Sequence, residues 1–77
     1  MKKWNISGLM VFDEEAMIEV LNDEKSVASF KILKKQSEFN YYEEELEIEV
    51  ADQLGVEEIR EIFDGMEFDE SYIVTQL

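Results

Sequence analysis

The pattern of apolar and polar positions divides the chain into short segments. In residues 3–12, "KWNISGLMVF", apolar and polar positions alternate. Trp4, Ile6, Met10 and Phe12 would share one face, and Gly8 interrupts the row. This predicts a strand over about 3–12 with a bend or bulge at Gly8. "DEEA" reads as a polar turn, and "AMIEVL" (16–21) as a short strand with Ile18 and Val20 on one face. "NDEK" (22–25) is a second turn. The next stretch, "SVASFKILKKQ", has two readings. As a helix it would take Asn22 as N-cap and Asp23 and Glu24 in the first turn. Its apolar residues do not form one helical stripe, however, because Val27, Phe30 and Leu33 fall opposite Ala28 and Ile32. As a strand, Ala28, Phe30 and Ile32 share a face, and this reading fits better.

"YYEEELEIEV" (41–50) is the clearest strand. Tyr42, Glu44, Leu46, Ile48 and Val50 would face the core, and Tyr41, Glu43, Glu45, Glu47 and Glu49 the other side. Glu44 breaks the logic of that inner face. Either a bulge at 43–45 turns it outward or the strand begins at Glu45. "VEEIREIF" (56–63) is the clearest helix: Val56, Ile59, Ile62, Phe63 and Met66 recur at helical spacing, with Asp52 near its start and Gly65 at the C′ position. "SYIVTQL" (71–77) is a last strand. The predicted order is β-β-β-β-α-β, or β-β-α-β-α-β if the ambiguous stretch is helical. Either is a single α+β domain with a mostly antiparallel sheet of four to five strands, covered on one face.

Charge changes this picture more than length does. The 77 residues carry a net charge of −13. Residues 1–37 hold six acids and six bases; residues 38–77 hold fourteen acids and one base, Arg60. The whole excess therefore lies in the second half. Such a surface repels nucleic acid and anionic membranes and attracts basic protein surfaces. The hydrophobic fraction of 45% argues against disorder. The chain has neither cysteine nor histidine, which excludes disulfides and thiolate metal sites and removes the commonest general base. There is no apolar run long enough for a membrane span and no signal-peptide pattern, so the expected location is the cytoplasm.

Two groups of acids are candidate binding residues. On a strand, Glu43, Glu45, Glu47 and Glu49 would stand in a line, with neighbours about 6.6–6.8 Å apart. Such a row can compete for the arginines and lysines that grip phosphate, because carboxylate and phosphate are both multi-oxygen acceptors. The simpler alternative is a solvated or aggregation-resistant face. The second group is Glu57, Glu58, Glu61, Asp64, Glu67, Asp69 and Glu70, on and after the predicted helix. Glu57 and Glu58 suit a helix N-terminus, whereas Asp64 opposes the helix dipole. "DGMEFDE" lacks the spacing of a calcium loop, so neither metal nor cofactor is expected. Paired carboxylates without a cleft do not make an active site, so no enzyme activity is expected.

In size, lack of cysteine, α+β pattern and the acids Glu43, Glu45, Glu47 and Glu49, the chain resembles the small acidic inhibitors of bacteriophages. These are the anti-restriction and anti-CRISPR proteins, some of which mimic DNA. The resemblance implies a partner rather than a substrate: a nucleic-acid-binding host defence protein, met in the host cytoplasm, with the acids of 43–70 standing in for phosphates. Direct binding to nucleic acid or membrane is not implied. The balanced first half departs from a pure mimic. An immunity protein or antitoxin against a basic nuclease is a second reading, and an acidic adaptor subunit of a larger assembly is a third. The apolar edge "YIVTQL" permits a homodimer.

Overall fold

The computed structural model describes residues 1–66 and 72–77. The elements are β1 (Lys2–Val11), α1 (Glu14–Asp23), β2 (Val27–Ser37), β3 (Tyr42–Val50), α2 (Val56–Asp64) and β4 (Ile73–Gln76). The strands form one sheet in the order β2-β3-β1-β4, with every neighbouring pair antiparallel. Both helices cover the same face. Met17 and Leu21 of α1 and Ile59 and Phe63 of α2 are buried together with Trp4, Ile6, Leu9, Val11, Leu46, Ile48 and Val50 of the sheet. This is the expected α+β class with a sheet covered on one side, but the order is β-α-β-β-α-β.

The difference lies in α1, which replaces the strand expected at 16–21. Asp13 is extended and caps the helix, its Oδ1 accepting from the Ala16 N–H at 3.1 Å. Glu14 and Glu15 follow in the first turn, where the helix dipole favours acids. Met17 and Leu21, four residues apart, then bury one stripe, with Ile18 packed beside them. Val20, which a strand would have turned inward with Ile18, is exposed. The ambiguous stretch is the strand Val27–Ser37, as the better-fitting reading held. Asn22 lies in the last turn of α1 instead of capping a helix of its own. Val27, Phe30 and Ile32 of β2 pack against the core. Ala28, expected to share a face with Phe30 and Ile32, falls at a register shift and is exposed, and Val27 packs inward in its place.

The irregularity expected at Gly8 is present, and it changes which side chains enter the core. Ile6 pairs with Leu46 and Leu9 with Glu44, so Ser7 and Gly8 together oppose Glu45. Gly8 has φ 78°, a conformation that costs glycine little and other residues considerably more. The extra residue reverses the alternation beyond it. Leu9 and Val11 are buried in place of Met10 and Phe12, and Phe12 is left 62% exposed. A second shift lies between Ile32 and Lys34 of β2, across from the same part of β3. Bulges on both sides of one strand increase local twist there.

In α2, Ile59 and Phe63 are buried, Ile62 and Met66 pack against the core, and Val56 is exposed. Its N-cap is Gly55, whose N–H donates to Glu58 Oε2 at 2.9 Å. Asp52 does not cap it; its carboxylate pairs with the Met1 amino group at 2.7 Å. Gly65 is the C-cap in right-handed conformation, with its N–H bonded to the Glu61 carbonyl.

Candidate partner-binding surface

β3 is an interior strand, so the glutamate row has neighbours on both sides. Glu43, Glu45, Glu47 and Glu49 are the outward residues of β3, and Glu44, Leu46, Ile48 and Val50 are the buried ones. The row therefore has four members on the open face. Each lies beside a residue of a flanking strand: Glu49 between Lys3 and Ser29, Glu47 between Asn5 and Lys31, Glu45 beside Lys34, and Glu43 between Met10 and Gln36. Glu45 is the best held. Asn5 Nδ2 donates to its Oε2 at 2.8 Å, and Lys34 Nζ stands 3.9 Å from its Oε1. Opposite charges placed across strands attract. Three lysines from the balanced half of the sequence thus stand against four glutamates from the acidic half. On this face the charge is nearly compensated.

Among the described residues, most of the charge without a basic neighbour lies on the helical layer, where Glu14 alone is held by a strand lysine, Lys35. Asp13, Glu14, Glu15, Glu19, Asp23 and Glu24 belong to α1 and its caps, and Glu57, Glu58, Glu61 and Asp64 to α2. α1 contains no base and α2 only Arg60. The six acids and most of the bases of residues 1–37 are therefore sorted into different layers: acids in the helix, Lys2, Lys3, Lys31, Lys34 and Lys35 in strands. Several of these helical acids lack a local stabilising role. Glu19 and Asp23, and likewise Glu57 and Glu61, are like charges four residues apart, each pair costing about 0.2–0.5 kcal/mol. Asp23 also lies at the helix end that disfavours acids.

Asp64 is an exception. The Tyr72 hydroxyl donates to its Oδ1 at 2.6 Å and also lies 3.2 Å from the Arg60 carbonyl oxygen. Burial, with the bond to Asp64 second, pushes the Tyr72 phenol up to about 12. The bond fastens the start of β4 to the end of α2, so Asp64 has a structural role as well as a charge. Glu67, Asp69 and Glu70, expected with this group, lie outside the described residues. Among the described residues no group of three or more acids is placed to hold a metal ion, and no helix is long and apolar enough to cross a membrane.

Glu44 is turned fully inward. β3 begins at Tyr42 and the bulges are on its neighbours, so neither expected way of releasing Glu44 to solvent occurs. It is 1% exposed, and neither carboxylate oxygen has a hydrogen-bond partner. Burial, reinforced by the nearby Glu14 charge and opposed by Lys35, pushes its carboxyl above the usual range. Lys35 pairs with Glu14 and lies 4.3 Å from the Tyr42 ring centroid.

Sequence reasoning missed the acids of α1 as surface residues because it missed the helix. The signal was Asp13 followed by two glutamates and an i, i+4 apolar pair. Compared with family models, curated proteins and solved structures, the chain matches none of them.

Proposed function

We propose that the protein is a non-enzymatic acidic inhibitor. It docks on a basic, nucleic-acid-binding surface of a target protein, in the manner of an anti-CRISPR or anti-restriction mimic. The observation that carries this reading is the layer of acids on α1 and α2, opposed within those helices by Arg60 alone. Solubility alone does not require acids four residues apart or at helix C-termini, where they cost stability. Carboxylates held on two helices over a common sheet offer arginine and lysine the acceptors they find on a phosphate backbone. The glutamate row of β3 contributes less, because Lys3, Lys31 and Lys34 already stand beside it.

Two charge-neutralised variants test this reading. One carries Glu19→Gln, Asp23→Asn, Glu57→Gln, Glu58→Gln and Glu61→Gln; the other carries Glu43→Gln, Glu45→Gln, Glu47→Gln and Glu49→Gln. Protein captured from host lysate at low and at high salt is identified and then challenged with nucleic acid. The expected target is nucleic-acid-binding, is released by salt and by its own nucleic acid, and is lost by the helical variant more than by the row variant. If both folded variants keep full binding, or nucleic acid and the protein occupy the target together, the reading fails.

A further inference from the structure

One end of the molecule combines acids with aromatic rings that the core does not use. A cleft there is lined by Phe12, Asp13, Glu14, Glu15, Ile18 and Tyr42, where the end of β1 and the first turns of α1 meet the start of β3. Phe12 is 62% exposed, and its ring lies 5.7 Å from that of Tyr41. Phe39, in the β2–β3 connection, is 94% exposed. Apolar rings clustered at a surface mark an interaction site more often than single exposed residues do.

The acids of the cleft differ in what already engages them. Asp13 accepts the helix-capping bond through Oδ1, Glu14 holds Lys35, and Glu15 has no ion pair among the described residues. Lys35 shows what this end of the molecule accepts: its ammonium sits over the Tyr42 ring while bound to the Glu14 carboxylate. Glu44, fully buried and without a partner, adds a further acidic group close to Glu14 and Lys35.

We propose that this cleft receives an arginine side chain from a basic segment of the partner protein, the guanidinium lying against Phe12 or Tyr42 and bonding Glu15. The proposal rests on the acidic-docking reading above and names the contact that gives it specificity. Arginine suits the cleft better than lysine because its planar group stacks on a ring and meets a carboxylate with two parallel donors. The site adds selectivity to an attraction that charge alone would spread over both helices.

The test is an NMR titration of the isotopically labelled protein at low salt with two short peptides of equal charge, one of arginines and one of lysines. The expected result is shifts concentrated at Phe12, Glu15, Ile18 and Tyr42, with tighter binding of the arginine peptide. Phe12→Ala and Glu15→Gln should each weaken that binding by about two- to fivefold. Both positions are exposed, and the spectra of the free variants verify their folding. Shifts spread evenly over both helices, equal for the two peptides and unaltered by Phe12→Ala, would overturn the cleft and leave acidic docking standing. Failure of both peptides to bind at low salt would overturn the two together.

Discussion

Replacing Glu44 should stabilise the protein, although most buried residues are costly to change. The side chain is 1% exposed, and both carboxylate oxygens lack a hydrogen-bond partner. An unsatisfied buried acceptor costs about 1–3 kcal/mol, and more when charged. Glu44→Met keeps a similar length, removes the acceptors and meets the apolar neighbours Leu9 and Leu46. A gain of about 2 kcal/mol at pH 7 is expected. For a domain of this size that raises Tm by roughly 10 °C. Glu44→Gln separates charge from packing through pH. The folded carboxyl has a raised pKa, because burial and Glu14 disfavour its ionised form. The stability that its protonation supplies is fully present below the unfolded value, near 4.5. It is lost as pH rises through the higher folded value. Glu44→Gln should therefore gain most at pH 7 and progressively less towards pH 4. Urea unfolding followed by Trp4 fluorescence at both pH values measures the difference, since Trp4 is the sole tryptophan and is buried. A loss of stability at pH 7 for both variants, or a gain independent of pH, would refute the account of Glu44 as an unpaired buried carboxylate.

Three other changes test the framework around the site. Gly8→Ala forces a side chain into φ 78° and should cost about 1–2 kcal/mol by thermal unfolding. An unchanged Tm would show that the bulge relaxes freely. Asp13→Ala removes the cap of α1 and should cost about 1 kcal/mol, with circular dichroism reporting the lost helix. Tyr72→Phe removes the bond to Asp64 and should cost about 2 kcal/mol in urea unfolding. In the intact protein, ultraviolet titration should show one tyrosine ionising only near 12. Because that phenol is raised, the stability tied to it is present below pH 10 and declines as pH climbs through about 12.

Elements whose signal is local were the most legible in the sequence. The alternation of 45–50 fixed both faces of that part of β3, whereas buried Glu44 and exposed Tyr42 departed from their expected places; the spacing of Ile59, Phe63 and Met66 placed α2, and Gly8 marked its bulge. α1 was misread because Ile18 and Val20 are β-branched and two apart, which is also the spacing of a strand face. The cap at Asp13 outweighs that local preference once Met17 and Leu21 have a sheet to cover. The inward set of β1 could not be read past Gly8, since an extra residue reverses every later side chain. The acids of β3 were legible as a row, but their lysine neighbours were not, because Lys3 and Lys31 come beside them only through strand pairing. Charge counted along the chain thus gave two halves, whereas charge in the folded protein is divided by layer.

The place of β1 inside the sheet also bears on how the chain reaches this structure. β2 and β3 are joined by a short connection and can pair early. β1 must instead find β3 after α1 and β2 have passed, and Trp4 meets Gln76 only when β4 arrives. Closing such wide loops costs entropy before any contact repays it, so assembly should be slow for a chain this small. β4, four residues long and paired on one side only, is then the last strand to dock and the first to open. Amide exchange should accordingly run fastest along 73–76 and slowest along the middle of β3.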